Sequence, residues 1–95
     1  MLIHIVCFKY KAGVGEAERH DHRERLRNLV VIDGIAELHV GEDVVRSARS
    51  YDTGLLVSFR DRAALEAYQT DPRHVPVAEL GRANCDHVVT VDFET

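Results

Sequence analysis

His4, Tyr68 and His74 are the residues whose types and settings could do chemistry in this sequence. A neutral imidazole can take a proton from a carbon beside a carbonyl. A phenol can donate a hydrogen bond to the oxygen on which negative charge then gathers. Together they suffice for an aldol- or Claisen-type step with no cofactor. His74 lies between Pro72 and Pro76, which restrict its backbone, and at the start of a helix whose positive dipole end favours the neutral ring. Tyr68 falls on the apolar face of the preceding helix and would carry its hydroxyl into an apolar space. His4 sits among apolar neighbours on a strand, where it could orient a ligand. Each also has a purely structural reading: Tyr68 as an aromatic at the core edge, His4 as a histidine hydrogen-bonded within the core, His74 as a turn residue.

Other groupings carry less. His20 and His22 are two apart on a helix and cannot share an ion, no HxxxH occurs, and the other histidines are scattered, so no metal is expected. Gly13-Val14-Gly15 lacks the rest of a phosphate-binding fingerprint and reads as a turn and helix start. Arg46 and Arg49 fall in a loop, as solvated or dimer-rim charges. Cys7 and Cys85 have no CxxC spacing and are expected as reduced thiols, Cys7 as a small core residue.

The elements that position these residues follow from periodicity. Leu2 to Tyr10 is rich in Ile, Val and aromatics and is closed by Lys11-Ala12-Gly13, which predicts a strand. Gly15 to Val30 predicts a helix with Leu26, Leu29 and Val30 at helical spacing, while Arg19, His22 and Arg23 project onto the same side as Leu26. Asp33-Gly34 is a turn pair, after which Ile35 to Val40 and Tyr51 to Phe59 form a long-looped antiparallel hairpin. Asp61 caps a helix bearing Leu65 and Tyr68, which Pro72 ends near Asp71. Pro76 permits a second short helix to about Asn84 with Val77 and Leu80 inward, and His87 to Phe93 is the last strand.

The order is β-α-β-β-α-β with the last α broken in two: an α+β, ferredoxin-like domain with a four-stranded antiparallel sheet. Strand one offers Leu2, Val6 and Phe8 on one side and Ile3, Ile5 and Cys7 on the other, so both sheet faces need cover. Helices supply one cover. A second copy packed sheet to sheet supplies the other, which predicts a homodimeric α+β barrel.

Ninety-five residues make one domain spanning the chain, and 45% hydrophobic with 29% charged residues is a globular balance rather than a disordered one. A net charge of −4 without a Lys/Arg stripe argues against nucleic acid as a partner. No apolar run is long enough for a membrane helix, and no secretory signal opens the sequence, so a cytoplasmic location is expected.

The segments Ile3 to Lys9, Lys11 to Val14, Tyr51-Asp52, Leu65-Glu66-Ala67-Tyr68, Asp71-Pro72-Arg73-His74 and Val89 to Phe93 occur in the order of a known family. In that set the chain resembles the stress-responsive A/B-barrel (Dabb) family over nearly its whole length, which implies the dimeric α+β barrel. Members of that family include stress-linked proteins and a plant polyketide cyclase that closes an aromatic ring by intramolecular aldol condensation. The cyclase's working residues, a strand-one histidine, a tyrosine on the penultimate helix and a histidine after the proline, are matched by His4, Tyr68 and His74. The resemblance thus implies a cofactor-free cyclase or lyase acting on a small carbonyl or polyketide-like compound. Beside it stands a non-catalytic, small-ligand-binding or stress-associated dimer. A cofactor-free monooxygenase is a third reading, from the barrel architecture alone.

Overall fold

Along the first strand, β1 (Leu2–Tyr10), burial alternates strictly. Leu2, His4, Val6, Phe8 and Tyr10 lie under the helices, and the odd residues lie on the opposite face, as a pleated strand requires. The computed structural model describes residues 1–95. After β1 come α1 (Glu16–Arg27), a 3₁₀ turn (Asn28–Val31), β2 (Ile35–Glu42), β3 (Thr53–Phe59), α2 (Arg62–Thr70), α3 (Val75–Asn84) and β4 (Cys85–Glu94). The four strands form one antiparallel sheet in the order β2-β3-β1-β4, with β1 central, as the ferredoxin-like order predicts.

The predicted helix to Val30 is instead a helix to Arg27 followed by the 3₁₀ turn. Three residues per turn bring Leu29 and Ile32 to the same side, where both are buried, and leave Val30 half exposed. Gly34 turns the chain into β2 with φ +91°, and a Cβ there would lie 2.6 Å from Cβ of Ala64, so the turn needs glycine on both counts. Asp61 caps α2 as expected, its side chain accepting from the Ala64 N–H at 2.9 Å.

The core lies between sheet and helices, built from Val6, Phe8, Leu55, Val57 and Phe59 of the sheet against Leu26, Leu65, Tyr68 and Val77. The other sheet face carries Ile3, Ile5, Cys7 and Leu56 beside Val89, Val91 and Phe93, which are 48%, 55% and 44% exposed. Glu37 and His39 make its β2 edge polar. Cys7 therefore belongs to this uncovered face rather than to the core. The core thiol is Cys85, which burial, with the nearby Asp52 and Asp86 charges, pushes up to about 11.

Candidate functional site

The segment from Asp71 to His74 sets the geometry of the site. Asp71 adopts φ −63°, ψ 131°, the extended backbone that a following proline enforces. Its carboxylate accepts from the Arg73 backbone N–H at 2.8 Å and from that residue's guanidinium at 3.0 and 2.8 Å. Those bonds to Arg73 hold the Asp71 carboxyl down at about 2. The amides of His74 and Val75 then donate to the Asp71 carbonyl at 2.9 and 3.1 Å. α3 starts there, with Pro76 in its first turn, where a missing N–H costs nothing.

This turn folds His74 back over the helix it leaves. Its ring lies on that of Tyr68, centroids 4.1 Å apart and planes 34° from parallel. His4 meets Tyr68 edge-on at 6.1 Å, and Phe59 packs on both. His4, Tyr68 and His74 all line one cavity of about 490 Å³ between β1, β4, α2 and α3. That volume is within the range of small-molecule sites. The other walls are mainly apolar, among them Val6, Phe8, Leu26, Leu55 and Val77.

Asp92 faces His4 across the β1–β4 ladder, and its carboxylate oxygen lies 2.5 Å from His4 Nδ1. A carboxylate accepts, so Nδ1 carries a proton and Asp92 fixes the orientation of the ring. Burial lowers the pKa of His74; the Gln69 carbonyl, 3.4 Å from Nδ1, opposes this, and the charges of His4 and Arg82 reinforce it. The neutral ring expected from the helix dipole is thus favoured mainly by burial. Tyr68 is 1% exposed, burial pushes its phenol well above the ordinary value, and its hydroxyl has no hydrogen-bond partner. The phenol stays protonated and can act only as a donor or a neutral acceptor. Such an orphan is costly in a packed interior, and nothing in the chain offsets it.

Two residues of this region escape a reading of the sequence. Asp92 is recognisable only once β4 is set in register against β1. Arg82, by contrast, had a visible signal: His74, Ala78 and Arg82 recur every four residues, one stripe of α3, and all three line the cavity.

Arg19, His22 and Arg23 are elsewhere, at the other end of the layer. Tyr10 hydroxyl is 2.6 Å from His22 Nδ1 and 3.1 Å from Thr53 Oγ1, which also accepts from Arg23 at 3.2 Å. Arg23 pairs with Glu42 at 3.2 Å, and Arg19 stands over the Tyr10 ring at 5.0 Å. His22 is packed edge-on against Phe8, and a Cβ on Gly81 would come within 3.2 Å of His22 Nε2 and 3.3 Å of Phe8, so α3 crosses closest where it has no side chain. No group of three His, Cys, Asp or Glu side chains converges closely enough to hold a metal ion.

Comparison with known proteins comes down to one family and one fold. The profile of the stress responsive A/B barrel domain matches residues 2–95. No curated protein matches the sequence. Among solved structures, a dimeric ferredoxin-like protein of unknown function from Jannaschia sp. CCS1 is 27% identical, with TM-score 0.83 over 99% of this chain and 98% of that one. Another, from Thermobifida fusca, is 21% identical, with TM-score 0.90 over 99% and 90%. The hydroxynitrile lyase of Passiflora edulis is 18% identical, with TM-score 0.86 over 97% and 90%.

Proposed function

Because this chain belongs to the stress responsive A/B barrel domain family, we propose that it works as a homodimer whose protomers each bind a small carbonyl compound between sheet and helices and remove a proton beside the carbonyl, as a cofactor-free cyclase or lyase does. The observation that carries this reading is the Tyr68–His74 pair: a neutral imidazole lying on a buried phenol with no partner, at the wall of an apolar cavity. His74 is the base through Nε2, and Tyr68 donates to the carbonyl oxygen as it gains charge. His4, oriented by Asp92, presents its ring to the same space and can position the ligand. A fold relative that is a hydroxynitrile lyase supports the lyase class, and dimeric relatives support the assembly.

The assembly has its own physical argument. Ile3, Ile5, Leu56, Val89, Val91 and Phe93 form an apolar sheet face that nothing in the protomer covers. A second copy would bury it across a two-fold axis. Light scattering at micromolar concentration should give twice the protomer mass, and Leu56→Asp should abolish the dimer by placing a charge in that face. A well-folded wild-type monomer would refute the assembly.

The chemistry is tested with benzylacetone, an uncharged ketone, in deuterium oxide. Proton NMR should show exchange beside the carbonyl accelerated by the protein and returned to the buffer rate by His74→Ala. If the ketone perturbs the His4, Tyr68 and His74 resonances without accelerated exchange, the cavity only binds.

A further inference from the structure

Arg82 borders the cavity with its guanidinium unengaged. Of the ten arginines, only Arg82 and Arg49, in the exposed β2–β3 loop, stand farther than 4.0 Å from every carboxylate oxygen. The chain's net charge is −4, yet the cavity lining contains no Asp or Glu and one permanent charge, that of Arg82. This charge reaches the interior, since it is among those that disfavour protonation of His74. Gln69 and Thr90 add neutral hydrogen-bonding groups to the same lining.

We infer that the ligand is a monoanionic keto acid, its carboxylate held by Arg82, its carbonyl oxygen at the Tyr68 hydroxyl with the carbon beside the carbonyl toward His74, and its apolar body against Phe8, Leu26 and Val77. The inference rests on the reading of this cavity as the ligand site and adds the charge and spacing of what enters it. A planar guanidinium fork matches a carboxylate in bidentate fashion, and a single cation balances a single charge. A phosphate dianion would leave one charge unbalanced here. Spacing follows from the helix: eight residues from His74 to Arg82 rise roughly 12 Å, and an arginine side chain leaning back toward the helix N-terminus shortens the gap. Carboxylate and carbonyl are therefore separated by a few bonds, as in a 4-oxo acid, rather than adjacent.

Benzoylpropionate and its methyl ester differ in this charge and little else. Titration of each into the dimer, followed by calorimetry and by the ring resonances of His4, Tyr68 and His74, should show the acid binding about tenfold tighter than the ester, the size of one charge-assisted contact. Arg82→Gln should weaken the acid to the level of the ester and leave the ester unchanged, while Arg82→Lys should retain part of the preference. An acid and an ester that bind alike to the wild type, or a preference that survives Arg82→Gln, would overturn the anion assignment while leaving the cavity as the ligand site. If neither compound moves those resonances, the assignment and the cavity reading fall together.

Discussion

The two ends of the layer between sheet and helices use the same residue types to opposite effect. At one end Tyr10 and His22 are wired to each other and onward to Thr53, Arg23 and Glu42. At the other, Tyr68 and His74 lie face to face, but the Tyr68 hydroxyl is bonded to nothing and a cavity opens beside them. Both tyrosines and both histidines are in a layer whose other contacts are mainly apolar. What separates structure from site is therefore whether the polar atoms find partners within the chain. A satisfied network fixes packing, whereas an unsatisfied one costs stability that a ligand can restore. The satisfied end has one exception, Nε2 of His22, which is closed in by Phe8 and Gly81 with no space for a ligand.

Exchanging the histidines for alanine should give the largest difference. His74→Ala should lower the rate of proton abstraction by about 10²–10⁴-fold, the usual contribution of a general base, with a small change in unfolding midpoint. His22→Ala should do the reverse, costing about 3 kcal/mol of stability through a cavity and a lost hydrogen bond while the remaining folded fraction keeps its rate. Urea unfolding and the deuterium exchange assay on both variants check this. A His74→Ala protein that loses stability instead of rate would erase the distinction between the two ends.

Next in size is Gly81→Ala, which should destabilise by about 1–3 kcal/mol, because the added methyl presses on the His22 ring and on Phe8. Acidification sharpens the same point. Burial lowers the pKa of both His22 and His74 in the folded protein, while in the unfolded chain both protonate near 6.5. Above that pH both rings are neutral in either state. As pH falls below about 6.5, the unfolded chain takes up protons that the folded one resists, so stability declines until the folded pKa values are passed. His22→Gln should flatten this decline in urea melts at stepped pH; an unchanged slope would mean that the packed end does not hold its histidine neutral.

Much of the fold was legible because it is written in local pattern. A run of Ile, Val and aromatic residues closed by Lys11-Ala12-Gly13 marked β1, Asp61 and Pro72 bounded α2, and apolar residues on both strand faces called for two covers. Boundaries moved where short-range geometry competes, as at Asn28–Val31, where a 3₁₀ turn replaces the last helical residues. The stripe of Tyr68 and the two prolines around His74 were enough to place those rings near each other. Asp92 was hidden because its partner lies 88 residues away, and strand register cannot be read from either strand alone. The role of Arg19, His22 and Arg23 was likewise hidden, since their partners on β1, β2 and β3 meet only in the folded layer.

The smallest expected effect is the most direct test, because it asks whether the Tyr68 hydroxyl is kept for something outside the chain. Urea unfolding of Tyr10→Phe and Tyr68→Phe, with no ligand added, removes one hydroxyl from each end. Tyr10→Phe should cost about 1–3 kcal/mol, since it strands the buried His22 Nδ1 and removes one of the two bonds to Thr53 Oγ1. Tyr68→Phe should leave stability unchanged or raise it by about 1 kcal/mol, since it deletes a buried group with no partner, while the exchange rate falls. A Tyr68→Phe protein that unfolds as easily as Tyr10→Phe and keeps the full exchange rate would show that the hydroxyl serves the fold, contradicting the account.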